Sequence, residues 1–96
     1  MAARETKIDA RQFAVISKAL ADRSRFEMLQ KIGESKRAPT YTCIRDWLNL
    51  APATVSHHLK ELEKAGLVQI ERQGKFAHIS LRRNVLKAYV NWLTSI

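Results

Sequence analysis

Between Ala51 and Val68 the apolar positions fall three and four residues apart, and beyond Val68 every second residue. Val55, Leu59 and Leu62 stand at i, i+4 and i+7, one narrow stripe, which leaves Ala53, His57, Lys60 and Lys64 on the opposite side of a helix. Pro52 fits the first helical position, where its missing N–H costs nothing. Gly66 stands where a left-handed residue ends a helix. After it, Val68 and Ile70 alternate with Gln69 and Glu71, Gln73-Gly74 supplies a turn, and Ala77, Ile79 and Leu81 alternate with Phe76, His78 and Ser80. That spacing predicts a short polar helix feeding a β-hairpin.

The same reading places three helices upstream. Asp9 can cap the first, with Gln12 three residues on, and Phe13, Ile16 and Leu20 make its stripe up to about Ala21. Asp22 caps a second, with Phe26, Leu29 and Ile32 as its core face before Gly33 stops it. Glu34 to Pro39 is a loop. Thr40 caps a third helix running to about Leu48, with Ile44, Trp47 and Leu48 buried, and Asn49-Leu50-Ala51 turns into the helix that follows. This is helix-turn-helix spacing. From Asn84 onward Val85, Tyr89, Trp92 and Ile96 form one apolar row and Leu86, Val90 and Leu93 a second beside it. Two rows exceed the needs of one small core, so this last helix is expected to pack on its own domain and on a second subunit together. The fold class is mostly α with a small β-hairpin, one domain over residues 1–96 with residues 1–8 as a flexible tail.

Charge turns this outline toward a partner. Seventeen Lys and Arg against nine Asp and Glu give the 96 residues a formal charge of +8, and no acidic residue follows Glu71. From Arg72 on, the hairpin and last helix therefore carry only positive charge, a footprint that favours nucleic acid over a merely soluble basic protein or an anionic membrane surface. A hydrophobic share of 46% supports a folded core. No run of about 18 apolar residues exists to span a bilayer, and Met1 to Lys7 lacks the apolar centre of a signal peptide, so a cytoplasmic protein with no membrane partner is expected. Cys43 is alone, which excludes an internal disulfide. Enzymatic chemistry is not indicated: no paired carboxylates, nucleophile–base pair or glycine-rich phosphate loop stands at a persuasive spacing.

Thr54-Val55-Ser56-His57-His58-Leu59-Lys60 followed by Leu62-Glu63-Lys64-Ala65-Gly66-Leu67-Val68 resembles the recognition helix of the ArsR/SmtB family of winged helix-turn-helix repressors. Ala19 to Leu29 is similar to that family's second-helix signature, with Arg23 in place of the usual proline. The likeness runs from about Asp9 to Leu93. It implies a homodimeric transcriptional repressor that lays a recognition helix from each subunit into successive major grooves of double-stranded DNA, at an imperfect palindrome. It also implies a dimer interface from the first and last helices, here Phe13, Ile16, Leu86, Tyr89, Val90, Trp92 and Leu93.

His57 points away from the apolar stripe, and an imidazole both donates and accepts, so it is the leading base-reading candidate; an ordinary exposed histidine is the plainer alternative. Thr54 and Ser56 lie on the helix flanks. Lys60 and Lys64 extend the outward side toward phosphates, and Arg72, Gln73 and Lys75 at the hairpin tip fit a wing touching backbone or minor groove. Arg25 matches the family's arginine and can either contact phosphate or brace the fold. His58, beside the buried stripe, reads as structural, and His78 as a cross-strand partner. His57 and His58 diverge by about 100° on a helix and do not share a metal. In the family's arsenic-sensing pattern the thiolate positions fall on Thr40 and Thr42, which cannot replace thiolates, and residues 84–96 hold no Asp, Glu or His. No metal site and no cofactor is expected, and no pattern assigns an effector. Cys43, near the start of its helix with Arg45 close by, can be a reactive thiol and a redox sensor, or a small filler. An acidic protein partner for the basic face is the alternative to DNA.

Overall fold

A computed structural model describes residues 6–96, with α1 over Ala10–Leu20, α2 over Arg23–Glu34, α3 over Tyr41–Leu48, α4 over Pro52–Lys64, β1 over Val68–Gln73, β2 over Phe76–Leu81 and α5 over Arg83–Thr94. Local chemistry sets most boundaries. Asp9 accepts from the Gln12 N–H at 2.8 Å, Asp22 from the Arg25 N–H at 2.9 Å, and Thr40 Oγ1 from the Cys43 N–H at 3.3 Å, each meeting an orphan donor of a first turn. Pro52 opens α4 after Ala51, which provides no side-chain cap. At the other end Gly66 takes φ +82°, the Leu67 N–H donates to the Leu62 carbonyl at 3.0 Å and the Gly66 N–H to Glu63 at 2.9 Å. These two bonds are a Schellman stop. A Cβ on Gly66 would meet Gln12 Nε2 at 2.7 Å, because Gln12 reaches in from α1 to donate to the Ala65 carbonyl at 3.3 Å.

The hairpin pairs Val68 with Leu81 through to Gln73 with Phe76, so the loop is Gly74-Lys75, one residue beyond the expected Gln73-Gly74. Gly74 takes φ +62° at the first loop position, as a type II′ turn requires. Pro39 and Thr40 lie along β2, the Ile79 N–H donating to the Pro39 carbonyl at 2.9 Å and Thr40 bridging His78. The start of α3 is thereby tied to the wing.

Ile16, Met28, Ile44, Val55, Leu62, Leu67 and Ile79 fill the centre with essentially no exposure. Four expectations change here. Phe26 is 45% exposed because Met28, Leu29 and Ile32 define the inward stripe, and Phe26, about 60° from Leu29 but about 160° from Met28, falls at its margin. Trp47 is 46% exposed: Tyr41 and Leu48 flank Ile44 on the inward side of α3, and Trp47 falls on the other flank. Gly33 does not stop α2, which runs on to Glu34; it lets β2 come close, since a Cβ there would press on Leu81 Cδ2 at 3.1 Å. The tail expected over residues 1–8 is docked at its end, with Ile8 in the core and Thr6 Oγ1 accepting from Asn84 at 2.8 Å; residues 1–5 lie outside the described part, and with them most of the segment compared with a signal peptide. Among the described residues no helix is long and apolar enough to cross a membrane.

Candidate nucleic-acid interface

The site is built on α4. Val55, Leu59 and Leu62 are buried, and that anchoring turns Ala53, His57, Lys60 and Lys64 outward, all exposed. The Tyr41 hydroxyl donates to the Pro52 carbonyl, fixing the first turn of α4 to α3. Thr54 is exposed in that turn, and Ser56 is half-buried on the flank nearer the wing. Between α3, α4 and the hairpin runs an open cleft of about 630 Å³. Tyr41 and Thr42 line it from α3, Ser56, Lys60 and Glu63 from α4, and Arg72 and Lys75 from the hairpin. Three cations against one carboxylate suit a passing phosphate chain. Gln73 is exposed at the hairpin end opposite Phe76, and Lys64 lies 4.0 Å from Glu61, an exposed pair too weak to hold it.

Arg25 makes contacts that brace the fold, and these leave its expected phosphate contact untested. Its Nη1 donates to the Ala19 carbonyl at 3.3 Å and its Nε to His58 Nδ1 at 3.4 Å, joining α1, α2 and α4. His58 is 7% exposed and structural, and burial above all pushes its pKa down; the Asp22 carboxylate opposes this, while Arg25 and His57 add to it. As hydrogen-bond acceptor, Nδ1 is unprotonated. Asp22 is held below the usual carboxylate range chiefly by the Arg25 backbone N–H. The cavity-lining roles of Tyr41 and Thr42 were not read from the sequence; they follow from the Pro39–Thr40 pairing with β2, which no local pattern announces.

Cys43 is lowered in pKa first by the Thr40 hydroxyl, 3.2 Å from its sulfur, and then by the Thr40 backbone. Arg45, expected to help, turns to Asp46 at 3.4 Å, and Asp46 raises the thiol pKa. Among the described residues no three His, Cys, Asp or Glu gather as a metal site, and no buried side-chain polar atom lacks a partner. His78 pairs across the hairpin with Glu71, and its Nδ1 lies 3.4 Å from the Ala38 carbonyl.

A second surface lies on α1 and α5. Phe13 stacks on Tyr89 and Trp92 at centroid distances of 4.9 and 5.0 Å, and Ser17 Oγ meets the Tyr89 hydroxyl at 2.8 Å. Val90, Trp92, Leu93 and Ile96 are exposed on and after α5, whereas the exposed Val15, two residues from Phe13, lies on the other side of α1. Ile16, expected in an interface, has no exposure at all; it faces inward from α1, and Phe13 is the expected α1 residue that meets the exposed side of α5.

A helix-turn-helix with a basic hairpin wing defines a DNA-binding domain. The comparisons agree: the sequence profile of a family described as a helix-turn-helix domain matches residues 20–71. The transcriptional repressor SdpR of Bacillus subtilis (strain 168) is 30% identical over 78 residues, 81% of this chain and 84% of that protein. An ArsR-like transcriptional regulator from Rhodococcus sp. RHA1 superimposes with a TM-score of 0.78 at 21% identity, over 88% of this chain and 78% of the other. The solution structure of a homodimeric winged helix-turn-helix DNA-binding domain from Mycobacterium bovis gives 0.71 at 24% identity, over 88% and 78%. The chain belongs to the ArsR-like family of winged helix-turn-helix transcriptional regulators. Its family and fold are those of DNA-binding regulators and not of enzymes.

Proposed function

We propose that this regulator is a homodimeric repressor that occupies an imperfect palindromic operator, with one α4 in each of two successive major grooves. The described fold and the likeness along the chain favour a single domain over residues 1–96. In this reading His57 reads a base edge, Thr54, Ser56, Lys60 and Lys64 hold the neighbouring backbone, and Arg72, Gln73 and Lys75 touch it from the wing. Phe13, Leu86, Tyr89, Val90, Trp92 and Leu93 form the subunit seam. The observation that carries the proposal is the outward row of α4, exposed and free of acidic side chains at Ala53, His57, Lys60 and Lys64, set beside a cleft with three cations. The repressor relative and the homodimeric neighbour support the direction of control and the assembly.

Selection of bound duplexes from a random pool tests this. The selected site is expected to be a palindrome with half-site centres about one turn, roughly 34 Å, apart. His57→Ala should cost about 1–3 kcal/mol on that site and relax its base preference, whereas Lys75→Ala should weaken all duplexes alike and flatten the salt dependence. Equal losses for His57→Ala on selected and random DNA would remove its reading role.

A further inference from the structure

Before Ile96, Phe76 is the most exposed large apolar side chain among the described residues, at 60%. Among the described residues its ring stacks on no other aromatic ring and joins no part of the core. The hairpin register sets it directly opposite Gln73 at the end of the wing, next to Lys75. Gly74, the first loop residue, adds no side chain and has nothing within 4 Å of where a Cβ would stand, so the tip is slender there. An apolar ring offered to water between a lysine and an amide, on a tip narrow enough to enter a groove, has the chemistry of a wedge. The cation draws the tip to the phosphates, and the ring then meets sugars and base edges.

We propose that Phe76 enters the minor groove flanking each half-site and partly unstacks a base step there, so that the wing selects DNA by its deformability. The inference rests on the reading of the hairpin as a DNA contact. Pyrimidine–purine steps open most easily, so the preferred flank contains a TpA step where the wing lands. An ApT step there shows the same A·T edges in the minor groove but is stiffer, and the two flanks separate shape from base chemistry.

The experiment uses the full chain and a selected duplex prepared with TpA or ApT at the wing position, the adenine replaced by fluorescent 2-aminopurine in a parallel pair. The wild type is expected to bind the TpA flank about tenfold more tightly and to raise the 2-aminopurine fluorescence on binding. F76A should bind both flanks equally without that rise, F76L should keep part of both effects, and K75A should weaken both flanks equally and keep their ratio. Thermal melting of F76A should match the wild type, since the ring supports no packing. Equal wild-type affinity for the two flanks, or an F76A that keeps the ratio and the fluorescence, overturns the wedge and leaves the operator reading standing. A wild type that selects no duplex overturns both.

Discussion

Helices α4 and α5 are nearly equal in length, 13 and 12 residues, and both carry a clear apolar side, yet they end in opposite conditions. In α4 every residue of the stripe is buried, and what remains outside is polar or small. In α5 only Val85 and Ala88 are buried, while Val90, Trp92 and Leu93 stay exposed beside Phe13 and Tyr89. One helix satisfies its own core and presents chemistry; the other presents unsatisfied apolar surface. Apolar area left to water on a domain this small is stabilised when a like surface covers it, and in the proposed dimer the patch on the first and last helices meets its own copy across a two-fold axis. In the proposed dimer the two surfaces divide the work: α4 and the wing face DNA, and α1 with α5 sets the distance between two readers.

The strongest way to break that division is a charge in the seam. Leu93→Glu should give a monomer in sedimentation and lower operator affinity by about a hundredfold or more, because two linked half-site contacts become one. Its melting temperature should fall and lose its dependence on protein concentration, because the covered seam no longer adds to stability; Leu93 itself lies outside the core of its own chain. A dimeric Leu93→Glu would place the seam elsewhere.

The reciprocal change lies in the stripe of α4. Leu62→Ala removes a fully buried side chain and should cost about 2–5 kcal/mol in denaturant unfolding. The exposed neighbour Lys60→Ala should stay within about 0.5 kcal/mol in the same measurement while weakening DNA binding. If the two variants lost equal stability, the outward side of α4 would be holding the fold and not facing a ligand.

What the sequence disclosed follows the same line between local and distant causes. The caps at Asp9, Asp22 and Thr40, the glycine stop at Gly66 and the stripe of α4 depend on residues within a turn of one another, and all were legible. Gly33 was misread because its reason is Leu81, far along the chain. Phe26 and Trp47 sit at the margins of their stripes, where a rotation of one helix decides burial. Ile16 was legible in the stripe of α1, but how much of that stripe the chain's own core covers was not, so it was also expected in the interface. The contacts of Arg25 with His58 and Ala19 join three helices, and no local pattern announces them. Of the candidate interface, the α4 row was visible as a pattern, but the cleft that α3 completes was not.

The smallest expected effect sharpens the comparison at the one polar point in the buried side of α4. In the unfolded chain a histidine takes up its proton as pH falls through about 6.5, whereas folded His58 resists until lower pH because burial disfavours the imidazolium. Between those two values the unfolded state binds more protons, so the contribution is fully present above 6.5 and is lost as pH falls through the folded pKa. Asp22, whose lowered pKa acts below the ordinary carboxylate range, does not titrate in that window. His58→Asn keeps a neutral acceptor near the Nδ1 position for Arg25 Nε. Chemical unfolding at pH 7.5 and 5.5 should show the wild type losing more stability on acidification than His58→Asn, with His57 and His78 common to both. Equal losses would mean that the Arg25–His58 contact does not depend on a neutral imidazole. A difference that also appears in operator affinity would show that this inner contact holds the angle at which His57, one residue away, meets the groove.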